Sequence, residues 1–299
     1  MQTRRSMIRA SLGAAGTLAA TGTAARIEPE GRRFALFTKH LLGLSPERLA
    51  DTLAALGVEE IEAPIRPGGH VEPARVADDL PRFAEVLKQR GVAITTLASG
   101  INAVSREQHT ETVLRTARAL QIPRFRMNWY TYDLKQPIWP QLDAVRPRLK
   151  ELVALSKEIG ILPCYQNHSG KTYVGAPVWD MALLMRDYPR EELAWCFDVM
   201  HATIEGGLSW PIETSLALDH IAVVNFKNFA WQGKQQKDVP LREGVVGKDT
   251  VDLLKSLGYR GPITLHVEYL EHEPRNEGYY PRAFEATSRD LETLRSWWE

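Results

Sequence analysis

Four short polar stretches in the second half of the chain carry the residue types of acid–base and metal chemistry. Each follows a run of apolar residues, and together they are Gln166-Asn167-His168-Ser169, Asp198-Val199-Met200-His201, Asn225-Phe226-Lys227 and His266-Val267-Glu268. Imidazole, carboxylate and ammonium groups can move protons or stabilise an enolate, and carboxylate, amide and imidazole groups can bind a divalent cation. A buried polar group needs a partner, so packing alone explains these stretches poorly.

Two polar stretches in the first half of the chain suit ligand binding. One contains Pro-Gly-Gly between Arg66 and His70, where the glycines allow a tight turn and the two side chains supply hydrogen-bond donors. A plain turn with two solvated polar residues is the alternative there. In the other stretch, Arg126 and Asn128 alternate with bulky residues. This alternation predicts an inward-pointing polar pair beneath an aromatic wall.

The elements that must position these side chains alternate between short apolar runs and longer helical patterns, which is typical of a parallel sheet with crossover helices. In the helical stretches apolar residues recur at spacings of three and four, and several stretches end on glycine, where a left-handed helix end is expected. The predicted strands are Phe34–Thr38, Glu60–Pro64, Ala93–Ala98, Arg124–Met127, Leu162–Gln166, Ala194–Asp198, Ile221–Lys227 and Ile263–Glu268.

Eight strand–helix units predict one α/β domain over residues 26–299, a single (β/α)8 TIM barrel. A doubly wound open sheet is the alternative, and it is disfavoured because no Gly-x-Gly-x-x-Gly turn follows the first strand. Period-two alternation sends Asn225 and Lys227 to one face of their strand, and His266 and Glu268 to one face of theirs. Because a closed barrel brings its strand ends together, these side chains are expected to meet around one cavity.

The composition argues against nucleic acid as a partner. The chain has 299 residues, with 37 Lys plus Arg balanced by 37 Asp plus Glu, so there is no global basic field. The two cysteines, Cys164 and Cys196, fall in predicted buried strands. They are interpreted as core thiols that act as small apolar groups, not as a disulfide framework.

The N-terminal residues resemble an export signal. A twin-arginine pattern, Thr3-Arg4-Arg5-Ser6-Met7-Ile8-Arg9, precedes a run rich in Ala, Gly and Thr that ends at Ala25. We predict that residues 1–25 are a twin-arginine signal peptide, that the export machinery is a partner, and that the protein is periplasmic. The run is too short and too rich in Gly and Thr to predict stable membrane insertion. A frayed terminal helix is the alternative.

At these motifs the chain resembles the sugar phosphate isomerase/epimerase superfamily, the xylose-isomerase-like TIM barrels, and looks like an exported branch of it. The resemblance covers essentially the whole mature chain and is strongest from Leu162 to Tyr269. It implies a small carbohydrate substrate and a divalent metal held at the ends of strands five to eight. The aspartate and the histidine three residues later match Asp198 and His201, and a frequent lysine matches Lys227.

The implied metal ligands depart from the pattern of the superfamily, which is Glu, Asp, His and Glu. The matching positions here are Gln166, Asp198, Asn225 and His266, with Glu268 as the alternative for the last. Gln and Asn offer a carbonyl oxygen but no charge, so the first four keep one formal negative charge where the pattern has three. Whether a metal is bound therefore stays open. If one is, imidazole favours Mn²⁺, Zn²⁺ or similar ions over Mg²⁺.

The leading hypothesis is an isomerase, epimerase or related lyase that removes a proton next to a carbonyl of a sugar, keto-sugar or glycoside. A non-catalytic periplasmic sugar-binding protein is the alternative, and an endonuclease IV-like nuclease is disfavoured by the neutral charge and the small number of histidines. The predicted catalytic residues are the bases Glu268, His201 and His168, with Lys227 stabilising the enolate; the predicted substrate-binding residues are Arg66, His70, Arg126, Asn128, Asn167 and Trp231.

Overall fold

The computed structural model describes residues 33–299, and the predicted signal peptide lies outside the described residues. Ten strands are present in this part of the chain: β1 (Phe34–Phe37), β2 (Glu60–Ile65), β3 (Ala93–Ser99), β4 (Arg124–Arg126), β5 (Leu162–Gln166), β6 (Ala194–Asp198), β7 (Ile221–Phe226), β8 (Asn228–Gln232), β9 (Gln235–Val239) and β10 (Ile263–His266). The eight predicted strands are confirmed with ends that shift by at most two residues, while β8 and β9 were not predicted.

Eight parallel strands close into a barrel in the order β1-β10-β7-β6-β5-β4-β3-β2. Closure is made by β1, which pairs on one side with β10 and on the other with β2, for example Leu36 with Leu265 and with Ile61. The predicted (β/α)8 barrel is therefore confirmed, and the open-sheet alternative is wrong. Because the strands are parallel, all of their C-terminal ends lie at one mouth of the barrel.

The helices surround the barrel and cover its apolar strands. Within residues 33–299 they are α1 (Pro46–Ala55), α2 (Val76–Lys88), α3 (Thr110–Ala119), α4 (Ile138–Ile159), α5 (Trp179–Met185), α6 (Val199–Gly206), α7 (Trp210–Ala217), α8 (Lys248–Ser256) and α9 (Tyr279–Trp298). Leu49 and Leu53 of α1 are fully buried, as their spacing predicts. None of the helices described is long and apolar enough to span a bilayer.

Local sequence explains where the helices end. Ser45 accepts a hydrogen bond from the Arg48 backbone and caps α1, whose first residue, Pro46, lacks the N–H that would be unpaired there. The predicted glycine ends after α1 and α4 are confirmed, with Gly57 at φ +65° and Gly160 at φ +82°. A side chain is strained in this left-handed region, which explains why glycine stands at both positions.

The core contains both cysteines as free, buried thiols, as the sequence predicts. The hairpin formed by β8 and β9 departs from the barrel after β7. Its base is fixed by Asn228, whose side-chain nitrogen donates to the carbonyl oxygens of Leu241 and Val246 at 2.7 Å each. Residues Gln236 and Asp238 of β9 consequently lie at the mouth of the barrel.

Candidate functional site

The C-terminal mouth of the barrel contains a polar cavity of about 190 Å³. Residues from β1, β4, β5, the loops after several strands and the β8–β9 hairpin line it: Phe37, Lys39, Arg66, Arg126, Trp129, Gln166, His168, Met200, His201, Lys227, Gln236, Asp238, Glu268 and Glu271. Gln166, His168, His201, Lys227 and Glu268 line this cavity, as the polar strand ends predict, whereas Asp198, Asn225 and His266 do not line it. The closed barrel is the physical reason, because it brings strand ends that are far apart in sequence to one rim.

A buried chain of charged and polar groups crosses one side of the mouth. Glu62 of β2 forms an ion pair with Arg126, whose Nε lies 2.6 Å from Oε1, and its Oε2 accepts a hydrogen bond from His266 Nε2 at 3.1 Å. The Arg126 guanidinium also donates to Gln166 Oε1, and Gln166 Nε2 donates to Asp198 Oδ2 at 2.9 Å. Burial would raise the pKa of Glu62, but Arg126 and His266 outweigh burial and hold the pKa below its ordinary value. Glu62 is therefore an ionised partner of two donors.

A second set of ion pairs surrounds Lys227. Its ammonium nitrogen lies 2.5 Å from Glu268 Oε2 and 3.5 Å from Asp198 Oδ2. Burial would lower the pKa of Lys227, but the Asp198 and Glu268 carboxylates outweigh burial and raise it. The pKa of Glu268 is in turn lowered, since Lys227 outweighs the effect of burial. Lys39 lies 3.8 Å from Glu268 and 2.5 Å from Glu271, so the Glu268 carboxylate has a second cation nearby.

Two neutral imidazoles face the cavity beside these ions. The rings of His168 and His201 lie 3.9 Å apart between centroids. Burial, aided by the charge of Lys227, lowers the pKa of His168 to about 4, and the same two causes lower that of His201 well below its ordinary value. His168 Nδ1 is 2.9 Å from the Ser169 carbonyl oxygen, which can only accept. Nδ1 must therefore carry the proton, and Nε2 keeps a free lone pair.

Asp198 is held rigidly by the backbone around it. It caps α6, where its Oδ1 accepts from the backbone nitrogens of Met200 and His201 at 3.1 Å each. Asn167 bonds both backbone groups of Asp198, donating to the carbonyl oxygen at 2.9 Å and accepting from the nitrogen at 2.7 Å. Asn167, which was predicted to bind substrate, is thus fully buried behind the cavity and positions Asp198.

The other predicted substrate-binding residues divide into two groups. Arg66 and Arg126 line the cavity. His70 does not line it, because its Nε2 bonds Thr38 Oγ1 at 3.0 Å and its ring stacks on Phe83. Two more lie outside the lining: Asn128, and Trp231, which is 52% exposed on β8.

Several residues at the mouth were missed in the sequence. Glu62 stands in the apolar strand β2, three positions before its end and two before the end that the sequence predicted, Pro64. The period-two rule applied to Asn225 and Lys227 places it on the face of Pro64. Asp238 of β9 lines the cavity with Oδ1 buried and without a hydrogen-bond partner among the described residues. Burial raises its pKa, although the charge of Lys227 opposes the rise. No pattern in the polar sequence of β9 indicated that it returns to the barrel.

The four predicted metal ligands do not fit a divalent cation in this arrangement. Gln166 presents its carbonyl oxygen to Arg126, and Asp198 Oδ2 faces both Gln166 and Lys227. His266 directs Nε2 to Glu62. Between residues 33 and 299 no group of three or more His, Cys, Asp or Glu side chains is placed to hold a metal. A cation about 4 Å from an ammonium is repelled by roughly 4 kcal/mol per unit charge at an effective dielectric constant of about 20.

The sequence from residue 50 to residue 295 matches the family model described as "Xylose isomerase-like TIM barrel". The chain belongs to this family. Solved structures support the assignment at the level of the fold. The probable 3-DHS dehydratase of Bacillus anthracis superposes with a TM-score of 0.66 at 15% identity, covering 88% of this chain and 98% of that one. The D-psicose 3-epimerase of Clostridium cellulolyticum H10 gives 0.62 at 10% identity, covering 88% and 99%.

A third solved structure shares the fold. The xylose isomerase-like TIM barrel protein of Mycobacterium smegmatis, solved in complex with magnesium, has a TM-score of 0.63 and 16% identity, covering 90% of this chain and 98% of that one. No curated protein sequence matches the chain. At these identities the structures show that the xylose isomerase-like fold is shared, and the chemistry of this member must be argued from its own residues.

Proposed function

We propose that this xylose isomerase-like barrel acts on a sugar, keto-sugar or glycoside by removing a proton next to a carbonyl. One observation carries the proposal: an imidazole with a free Nε2 lone pair, that of His168, shares a cavity with the buried cations Lys227 and Arg126. A neutral base and fixed positive charges are the two components that enolate chemistry needs.

The reaction begins when His168 Nε2 takes the proton of the carbon next to the carbonyl. The C–H electron pair forms the carbon–carbon double bond of an enolate, and the negative charge that develops on the carbonyl oxygen is stabilised by Lys227 and Arg126. Return of the proton to the former carbonyl carbon, with transfer of the neighbouring hydroxyl proton to the enolate oxygen, gives an isomer. Protonation of the original carbon on its other face by a water molecule, followed by loss of the imidazolium proton to solvent, gives an epimer. Loss of a β-oxygen leaving group, protonated by the imidazolium, gives elimination.

Glu268 was predicted as one of the bases, and its surroundings favour a different role. Lys227 lies within hydrogen-bond distance of Glu268 Oε2 and Lys39 lies 3.8 Å from Oε1, so both carboxylate oxygens face cations that compete with a substrate proton. Its carboxylate instead holds the ammonium of Lys227 at the rim of the cavity. We therefore propose Glu268 as a positioning residue and His168 as the catalytic base.

A non-catalytic sugar-binding protein is the second candidate. It is favoured by Gln166 and Asn225, which are uncharged where the superfamily has acidic and imidazole ligands. A polar cavity rich in donors and acceptors suits hydroxyl groups whether or not a reaction follows.

Proton exchange in D₂O separates the two candidates. The mature protein is incubated with a panel of aldoses, ketoses and keto-glycosides, and loss of the α-proton signal is followed by NMR. We expect exchange with at least one sugar, its loss in H168Q, and its retention in H220Q, because His220 lies at the opposite end of β7 and bonds the Tyr188 carbonyl. Sugar binding measured by calorimetry without exchange would instead support the binding protein.

A further inference from the structure

We infer that Lys227 and Arg126 permanently supply the two positive charges that a divalent cation would supply at this barrel mouth, so that the site is complete without metal. This inference deepens the proposed function, and its catalytic meaning rests on that function. The contacts of the side chains support it. Lys227 is 4% exposed and Arg126 is 5% exposed. Lys227 lies 3.5 Å from Asp198 and Arg126 donates to Gln166, and the resemblance assigns both partners to metal binding.

Asp198 has little capacity left to bind a metal. Oδ1 accepts two backbone N–H groups from the first turn of α6. Oδ2 accepts from Gln166 Nε2 and lies 3.5 Å from the Lys227 ammonium. A metal ion at Oδ2 would have to displace both donors, and one of them carries a positive charge. Asp198 is the carboxylate that remains at the four implied ligand positions, so this displacement is the decisive obstacle.

The Gln166 amide is held in one orientation by two neighbouring charges. Its oxygen faces the Arg126 guanidinium and its nitrogen faces the Asp198 carboxylate. The reverse orientation would set an N–H₂ against a guanidinium and an oxygen against a carboxylate, so neighbouring charges fix the orientation shown. The oxygen, which is the atom through which an amide binds a cation, is therefore already bound to one.

The remaining two positions add little affinity for a cation. His266 donates a hydrogen bond from Nε2 to Glu62, and Arg126 forms an ion pair with the same carboxylate. Both side-chain polar atoms of Asn225 and Nδ1 of His266 are buried without hydrogen-bond partners among the described residues, which leaves one neutral amide and one imidazole nitrogen as available ligands. Two neutral ligand atoms are a weak site for a hard cation, which prefers several charged oxygens.

The charges alternate along the network. Glu62, Arg126, Asp198, Lys227 and Glu268 follow one another through direct contacts or through the Gln166 amide, so three carboxylates are matched by two cations. Two monovalent cations carry the formal charge of one divalent ion. They also lie beside the cavity, where a developing oxyanion needs positive charge.

Direct measurement of metal on the purified mature protein tests the inference. Metal content is determined by mass spectrometry, and Mn²⁺ and Zn²⁺ are titrated by calorimetry after treatment with EDTA. We expect far less than one equivalent of metal, no saturable site at the mouth, and a melting temperature unchanged by EDTA. One equivalent of either metal that is retained in the wild type and lost in D198N would overturn the inference.

A reciprocal variant tests the cause. In Q166E/N225H/K227M, the internal cation at Lys227 is removed and two charged or imidazole ligands are restored beside Asp198. Once circular dichroism shows that it folds, we expect Mn²⁺ to bind at least about 100-fold more tightly than to the wild type. A folded variant that gains no affinity would show that Lys227 does not exclude the metal. If the triple variant does not fold, Q166E/N225H, which keeps Lys227, is titrated with Mn²⁺, and stabilisation of that folded variant by the metal would overturn the inference.

The failure of this inference is distinguishable from failure of the proposed function. A protein that binds no metal and exchanges no sugar proton would leave the inference standing and remove the proposed reaction. A protein that exchanges protons only after Mn²⁺ is added would retain the reaction and remove the inference.

Discussion

The ammonium nitrogen of Lys227 lies 2.5 Å from Glu268 Oε2, just beyond the C-terminal ends of the neighbouring strands β7 and β10. The two side chains are 5% and 14% exposed, so water contributes little to the solvation of either charge. Asp198, fully buried, lies on the other side of the ammonium at 3.5 Å. The Lys227 ammonium is therefore stabilised chiefly by these two carboxylates, and its removal leaves both of them buried without this cation.

Replacing Lys227 should destabilise the fold strongly. We expect K227M to lower the free energy of unfolding by about 3–5 kcal/mol, because two buried carboxylates lose their cation. K227M/E268Q should recover part of the loss, since one of those carboxylates becomes neutral. Urea denaturation measures both. The matched control is K248M, which removes an exposed pair with Asp252 and should cost no more than about 1 kcal/mol. Equal losses in K227M and K248M would contradict the prediction.

The two proposed roles of His168 and Glu268 predict different losses of activity. H168Q should reduce sugar proton exchange by at least about 100-fold, because the base that takes the proton is absent. E268Q should reduce the rate of proton exchange less than H168Q does. Formate or acetate added to E268Q should not restore a pH-dependent limb to the pH–rate profile. The rates are measured with the sugar that exchanges best. If E268Q loses more activity than H168Q, the assignment of the two roles is reversed.

Glu213 of α7 should make stability fall as the pH rises. Burial, aided by the charges of Glu205 and Asp180, raises its pKa to about 7, and its Oε2 is buried without a hydrogen-bond partner among the described residues. The folded protein therefore holds a proton that the unfolded chain releases near pH 4.5. This contribution is complete at low pH and is lost as the pH rises through about 7.

The variant E213Q isolates this effect from other titrating groups. Relative to E213Q, the wild type should lose about 3 kcal/mol of stability between about pH 4 and about pH 8. Denaturation curves of both proteins across this range give the difference directly. A difference that does not change with pH would mean that the folded pKa of Glu213 is ordinary.

Export through the twin-arginine machinery is a proposal that rests on residues 3–25. We expect the wild type in the periplasmic fraction with a mature N-terminus near Arg26. The variant R4K/R5K should accumulate in the cytoplasm with its N-terminus intact, because the paired arginines are the signal that the machinery reads. Fractionation and N-terminal sequencing make the measurement. Equal distribution of the two proteins would remove the proposal.

Much of the barrel could be predicted because its signals are local. β5 and β6 begin and end where the apolar runs Leu162–Gln166 and Ala194–Asp198 predict, since a buried parallel strand needs a short apolar run and a turn. The hairpin of β8 and β9 could not be predicted in this way. The residues of β9 are mostly polar and mostly exposed, and the base of the hairpin depends on hydrogen bonds from Asn228 to a loop that follows later in the chain.

The sequence alone predicted several of the side chains that reach the mouth, because strand period and strand end are properties of a few adjacent residues. Asp198, Lys227 and Glu268 were identified in this way, and they meet. Only the tertiary structure decided what each one pairs with. Glu62 and His266 are 204 residues apart and bond directly, and that contact occupies Nε2 of a predicted metal ligand. Pairing depends on distances of a few ångströms between strand ends, which barrel closure sets and no local pattern encodes.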